Sequence, residues 1–210
     1  MIFGRKDFIG IYDNALSSKQ CKEIIDYFET QEPHRGGVGN NQKDDGNFYV
    51  RIDLKAKDSW DLSVNLDNET IADKHISSAL DEYTPRYRED NPEVDWIHSW
   101  MAFPRYNLQK YEPGGGYHSY HCENDGSYKD IGYRSDRMMV WMFYLNTVTD
   151  KGGTYFSSYD KTIKAKKGRL VIWPAYWTHS HKGIPSPTQT KYIATGWYAY
   201  EVPCCNNLPT

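Results

Sequence analysis

The 210-residue chain has no apolar run approaching the ~20 residues that span a bilayer as a helix. Its opening stretch, Met1 to Ile11, breaks up its few apolar residues with Arg5, Lys6 and Asp7, so it has no signal-peptide core and a cytoplasmic protein is expected, with no membrane partner. Positive charge is not in surplus either: 25 Lys and Arg against 28 Asp and Glu leave a net charge of -3, which argues against nucleic acid as a partner. The one basic run, KTIKAKKGR from Lys161 to Arg169, reads as a solvated turn between strands. The four cysteines, Cys21, Cys122, Cys204 and Cys205, form no CxxC pair, and vicinal Cys204 and Cys205 sit in a polar, proline-flanked tail. Neither a zinc knuckle nor a disulfide framework is indicated. No repeat and no linker divides the chain, so one domain over 1–210 is expected, with helical support and loops in 1–95, a β-rich part in 96–201 and a tail in 202–210.

What is present is ordinary globular material, with 39% hydrophobic and 25% charged residues, long enough to bury roughly 70% of its unfolded surface. The 18 tyrosines, 7 tryptophans and 7 phenylalanines are numerous and are read first as filling for a β core and its rim.

Phe8 to Tyr12 reads as an opening strand. Ser17 and Gln20 then make a capping box, and Cys21, Ile24, Ile25 and Phe28 recur at helical spacing, with Cys21 as a small buried hydrophobe. Gln31 to Gly46 is too polar and glycine-rich for a regular element, and His34 within it is read as solvated. Phe48, Val50, Ile52 and Leu54 alternate with polar residues as in a half-buried strand. Asn68 is placed to cap a second helix with Ala72, Ile76, Ala79, Leu80 and Tyr83 as its apolar stripe, ending before Pro85; His75 lies at the edge of that stripe. Strand-like segments follow at 96–102, 106–111, 138–145, 154–158, 169–173 and 191–201, a pattern of short strands and glycine-rich turns that suggests a sandwich or barrel. Met138 to Leu145, MMVWMFYL, is apolar on both faces and is expected to be a central strand covered on one side by the two helices.

The chemistry concentrates in Tyr111 to Glu123, YEPGGGYHSYHCE. His121 and Glu123 are one residue apart, so on a strand they project to the same face, two thirds of a facial triad of the kind that holds non-haem Fe(II) with positions left open. A partner is needed elsewhere. GRLVIWP from Gly168 to Pro174 reads as a buried strand, followed by Thr178-His179-Ser180-His181, and either histidine there can complete the set. Lys191, in the alternating strand Lys191 to Trp197, shares a face with Ile193 and Trp197, a costly place for a lone ammonium unless an anion arrives.

Over roughly 106–198 the sequence resembles the 2-oxoglutarate- and Fe(II)-dependent oxygenases, in particular the prolyl 4-hydroxylase-like branch and its small phage-type members. The shared features are Tyr111, Gly114, Gly116 and Tyr117 ahead of His121 and Glu123, then Tyr144-Leu145-Asn146, then Gly152-Gly153-Thr154-Tyr155-Phe156. The family's distal histidine is followed by a proline at plus four and a basic residue about ten positions on. His181 meets this with Pro185 and Lys191, whereas His179 has Gly183 and Gln189. Glu123 stands where aspartate is usual, and Asp125 is the nearest rival carboxylate.

The resemblance implies an α+β, mostly β fold: a double-stranded β-helix (jelly-roll or cupin-like) catalytic core over 96–201 with the N-terminal helices on one sheet. It implies His121, Glu123 and His181 as metal ligands and catalytic residues, and Lys191, with Tyr144 and Tyr111, as the grip on the far carboxylate of 2-oxoglutarate. His118, His179 and Trp197 become substrate-side or supporting residues. The cofactors implied are Fe(II) and 2-oxoglutarate with O2 as cosubstrate, and ascorbate as an accessory reductant. The implied reaction hydroxylates a C–H bond with succinate and CO2 as co-products, on a peptide or protein proline by analogy. A free amino acid, another small molecule or a nucleobase is the alternative substrate. A non-catalytic metal- or ligand-binding β module of a virion or scaffold is the alternative of another class.

Overall fold

The computed structural model describes residues 6–39, 50–67, 69–96, 98–124, 128–129, 133–134 and 137–201. In chain order the elements are β1 (Gly10–Tyr12), α1 (Ser18–Glu29), β2 (His34–Arg35), β3 (Val38–Gly39), β4 (Val50–Arg51), β5 (Trp60–Asn65), α2 (Ile71–Asp90) and β6 (Trp100–Tyr111). There follow β7 (Tyr128–Lys129), β8 (Tyr133–Arg134), β9 (Arg137–Tyr144), β10 (Thr154–Phe156), β11 (Lys161–Ile163), β12 (Arg169–Pro174), β13 (His181–Gly183) and β14 (Lys191–Tyr200).

Two sheets face each other. The major sheet has the order β1-β12-β9-β14-β6-β5-β2, and the minor sheet has the order β11-β10-β13. The apolar run of β9 lies between β12 and β14, and its two faces serve two cores. Met139, Trp141 and Phe143 join Leu170, Ile172 and Tyr198 under the helices. Val140, Met142 and Tyr144 join Val171, Trp173, Ile193 and Trp197 on the opposite face, toward Phe156 and Ile163 of the minor sheet. This is the double-stranded β-helix arrangement, with both helices on one face of the major sheet.

Helix α1 starts at the Ser17 capping box: Gln20 N–H donates to Ser17 Oγ (3.2 Å) and Ser17 N–H to Gln20 Oε1 (2.9 Å). Cys21, Ile24 and Phe28 are buried, and burial pushes the Cys21 thiol up to about 11, as suits a core residue. The cap of α2 is Thr70, which accepts from Asp73 N–H; Asn68 lies outside the described residues. This helix does not stop before Pro85 but runs through it to Asp90. Pro85 lies on the exposed face, where solvent serves the carbonyl that a proline leaves unbonded, while Tyr83 and Tyr87 on the buried face hold the helix down. His75 links the helices, its Nε2 lying 2.7 Å from Glu23 Oε2.

Three strand expectations are corrected. The alternation at Phe48 to Leu54 yields only β4: Phe48 lies outside the described residues, Ile52 and Leu54 are exposed, and the chain turns at Asp53, whose carboxylate accepts from Lys55 and Ala56 N–H. The separate strands at 96–102 and 106–111 are one strand, β6. It tolerates Pro104 at its centre because the β14–β6 register shifts between Gly196 and Tyr198, a bulge opposite the proline. The polar stretch WDLSVN, not marked as a strand by its sequence, is β5 and pairs with β6. The basic run 161–169 is tied to the N-terminal segment, Lys161 to Asp7 and both Lys166 and Arg169 to Asp13.

Candidate metal and cosubstrate site

His121 and Glu123 are not on a continuous strand. The segment 117–124 is a loop anchored at several points to the minor and major sheets. His121 and His181 exchange two backbone hydrogen bonds, each 3.0 Å, so the first residue of β13 and the loop are stitched side by side. Gly183 N–H donates to Tyr117 O (2.8 Å), and Asn124 is held by Ala175 O (2.9 Å) and Arg137 O (2.8 Å), which fixes Glu123 between anchored neighbours. The shared strand face expected from the one-residue spacing is therefore replaced by convergence of a loop and β13, bridged backbone to backbone.

The side chains meet in a defined way. Ring nitrogen Nδ1 of His121 lies 3.1 Å from Ser119 O, and Nδ1 of His181 lies 2.9 Å from His179 O. With each Nδ1–H donated to a carbonyl, both Nε2 lone pairs are left facing Glu123 Oε1, at 3.4 Å from His121 and 3.9 Å from His181. The other carboxylate oxygen, Oε2, accepts from Trp197 Nε1–H (2.9 Å) and lies 3.4 Å from Arg137. The candidate donor atoms of the three residues all lie within 4.8 Å of one another. Two imidazoles and one carboxylate, with the tautomers set and one oxygen left over, fit a divalent transition metal and leave room for other ligands.

Electrostatics favour the same use. Burial by itself would raise the Glu123 carboxyl, but the hydrogen bond and charge of His121, with Arg137 and His181, hold it well below the usual carboxylate range. Burial and the neighbouring His121 lower His181 to about 3, so its imidazole is neutral and able to ligate at physiological pH. Phe156 and Trp173 wall its ring, at centroid distances of 5.4 and 5.1 Å, and Tyr117 stacks on His121 at 3.6 Å.

These groups line a cavity of about 630 Å³ between the sheets. At its buried end stands Lys191, 4% exposed and pulled down to about 8 by burial. Among the described residues no hydrogen bond or ion pair reaches its ammonium, which lies 4.7 Å from the Tyr111 ring centroid. Such a buried cation is a ready socket for an anion. Tyr144 lines the same end, its hydroxyl 2.7 Å from Thr154 Oγ1, while Tyr111 donates to Gln109 Oε1 (2.8 Å). His118 and His179 do not line the cavity. The His179 ring turns away to the N-terminal segment, with Nε2 2.7 Å from Asp7 O, and only its carbonyl serves the site by holding His181. Asp125 lies outside the described residues.

Residues 106–199 match the family model described as the 2OG-Fe(II) oxygenase superfamily. They form a 2OG-Fe(II) oxygenase domain. No curated protein sequence matches the chain significantly. Among solved structures, the oxygenase is similar to a viral collagen prolyl hydroxylase from Paramecium Bursaria Chlorella virus-1, bound to 2OG, at 20% identity over 94% of this chain and 98% of that one, TM-score 0.67. It is also similar to a Pseudomonas putida prolyl-4-hydroxylase (15% identity, 92% and 94% covered, TM-score 0.65). A third is a Trichoplax adhaerens prolyl hydroxylase in complex with a hypoxia inducible factor oxygen degradation domain peptide fragment (18%, 93% and 84%, TM-score 0.70). At these identities the likeness is one of fold. The family of this domain implies Fe(II) and 2-oxoglutarate as metal and cosubstrate, and the His121, Glu123 and His181 cluster lies within the matched residues. Within the described residues no helix of the oxygenase is long and apolar enough to cross a membrane.

Sequence reasoning missed a buried polar network beside the metal site. Lys57 Nζ lies 2.5 Å from Asp61 Oδ2, Ser59 donates to Asp61 Oδ1 (2.7 Å), and Gln109 Nε2 donates to Asp61 Oδ2 (3.1 Å). It also missed Arg137, whose guanidinium stacks 3.5 Å from the Trp197 ring centroid. A signal existed in β5 and β6, where Asp61, Ser63, Asn107 and Gln109 alternate with Leu62, Val64 and Leu108, polar residues on a face that a second sheet covers.

Proposed function

We propose that the oxygenase hydroxylates a proline in a peptide or protein, releasing succinate and CO2, with His121, Glu123 and His181 holding Fe(II). The observation that carries the ligand assignment is the convergence of both Nε2 atoms on Glu123 Oε1 while every other donor of the three side chains is already engaged. When bound, the metal and 2-oxoglutarate supply the oxidising chemistry, and the protein's part is orientation and exclusion of water.

Each side chain then has a task. The Nδ1 hydrogen bonds fix the tautomer and the orientation of the two imidazoles, so that each aims Nε2 at the cluster. Trp197 and Arg137 keep Glu123 Oε2 occupied, so that it ligates through one oxygen. Lys191 receives the far carboxylate of 2-oxoglutarate at the buried end, and the aromatic lining there excludes water from the pair. Trp197 and Arg137 also present a flat, cationic surface next to the carboxylate, suited to a proline ring and its neighbouring carbonyl. The prolyl hydroxylases named among the structural neighbours support this substrate class, one of them holding a peptide.

The test is an anaerobic titration with Fe(II) and 2-oxoglutarate, followed by air. A visible absorption band that needs both, and then succinate, is expected. Peptides from lysate digests should acquire one oxygen atom on proline. Succinate without any oxygenated peptide, together with an oxygenated free amino acid or metabolite, would overturn the peptide assignment.

A further inference from the structure

Beyond the metal and cosubstrate, the cavity continues to an exposed end formed by β2, β5, β6 and the outer part of β14. The site-facing residues of β6, Phe103, Arg105, Asn107, Gln109 and Tyr111, all line it. Gln109 and Tyr111 belong to the buried network, whereas Arg105 stands four residues out from Gln109, roughly 13 Å along the strand. On the same wall Ser63 donates to Asn107 Oδ1 (2.9 Å), and Thr195 and Phe103 line the cavity with Arg105.

The charges decide what this end receives. Fe(II) and Lys191 together balance Glu123 and the dianionic 2-oxoglutarate, and Lys57 is balanced by Asp61 at 2.5 Å. Arg137 adds a further positive charge but is held beside Glu123 by stacking on the Trp197 ring. Arg105 makes no ion pair and no hydrogen bond among the described residues. A guanidinium presented in a cleft focuses positive potential there, on a protein whose net charge is -3.

We propose that this exposed end is an anion subsite in which Arg105 receives a carboxylate of the substrate, an acidic side chain flanking the reacting residue of a peptide. The assignment rests on the peptide reading above. A planar guanidinium takes a carboxylate through two parallel hydrogen bonds, which fixes the direction in which the chain lies along β6 as well as adding affinity.

The experiment is binding of labelled proline peptides carrying Glu, Gln or Lys at each flanking position in turn, read by fluorescence anisotropy on the protein loaded with Mn(II) and 2-oxoglutarate. The wild type is expected to bind the best Glu peptide about tenfold more tightly than its Lys counterpart at low salt, the loss of one charge-assisted contact. The gap should close at about 1 M salt, where screening acts within about 3 Å. Arg105→Glu should invert the preference, and tighter binding of the Lys peptide is a gain that a misfolded variant cannot produce. Equal binding of Glu and Lys peptides, an unchanged ratio in Arg105→Glu, or no binding of any peptide overturns the subsite. Arg105-dependent binding of acidic peptides with no oxygen on their proline leaves the subsite standing and overturns the prolyl assignment instead.

Discussion

At the scale of the residue, the two distal histidines have different work. His181 offers Nε2 to the ligand cluster, whereas His179 spends its ring on the Asp7 carbonyl and its own carbonyl on His181. His181→Ala is therefore expected to lose iron retention and turnover together, measured by metal analysis after desalting and by succinate formation. His179→Ala keeps the backbone carbonyl and should retain iron. It orphans the Asp7 carbonyl at about 1–3 kcal/mol, and the melting temperature should fall by about 2–4 °C for each kcal/mol. Lys191 gives a pH prediction with a definite sign. Burial lowers it to about 8, so above that pH the cosubstrate-free protein holds a neutral amine that must take up a proton to bind a dicarboxylate. Affinity for 2-oxoglutarate should be flat below about pH 8 and fall above it, up to tenfold per pH unit, by calorimetric titration. In the free protein the unfolded chain binds more protons above about 8, so stability attributable to Lys191 rises with pH there. Lys191→Ala should remove the pH dependence and raise the 2-oxoglutarate requirement by roughly a hundredfold, about 2.7 kcal/mol.

At the scale of the element, the elements most legible in the sequence are those whose stability is local or two-sided. The Ser17 box and the helical stripe behind it mark α1 without help, and the doubly apolar run at 138–145 can only be an interior strand. Helix α2 and strand β6 each run past a proline because the partner surface outweighs the local penalty: the exposed face absorbs Pro85, and the β14 bulge absorbs Pro104. Strand β5 alternates, but its inward residues are polar, and their burial makes sense only against Lys57 and Gln109, which the sequence does not place beside them. The docking of α1 on the sheet depends on Gly168, which has φ +77° and whose added Cβ would lie 2.1 Å from Leu16 O, the same backbone that donates Leu16 N–H to Gly168 O. Gly168→Ala is expected to cost roughly 2–4 kcal/mol in urea unfolding, while the folded fraction still takes up iron.

At the scale of the whole molecule, the site is a junction between a loop before the central strand and a short strand after it. His121 and Glu123 reach His181 across nearly sixty residues, and the backbone bridge between the two histidines, with the Gly183 N–H to Tyr117 O bond beside it, joins these segments at the cluster. A metal bound here would tie the 117–124 loop to β13, so it should stabilise the protein as a ligand of the folded state only, by about 2.7 kcal/mol at a hundred times its dissociation constant. Chelation should lower the melting temperature and speed amide exchange at 117–124 and 177–184, with little change in α1 or α2. Uniform exchange changes throughout would show that the cluster does not tie these segments together.

The sequence by itself determined the run of short strands, the helix that covers the sheet, the central strand and the residue types of a metal site, because capping, periodicity and the HxE spacing are local patterns that physics reads within a few residues, whereas the double-stranded β-helix followed from the family resemblance. The tertiary structure decided which histidine turns inward, that one carboxylate oxygen faces both imidazoles, that Lys57 is neutralised while Lys191 and Arg105 meet no counter-ion among the described residues, and that Trp197 and Arg137 stand beside Glu123. Those facts depend on contacts between segments far apart in the chain, where burial and pairing, rather than residue type, set the charge that each group presents.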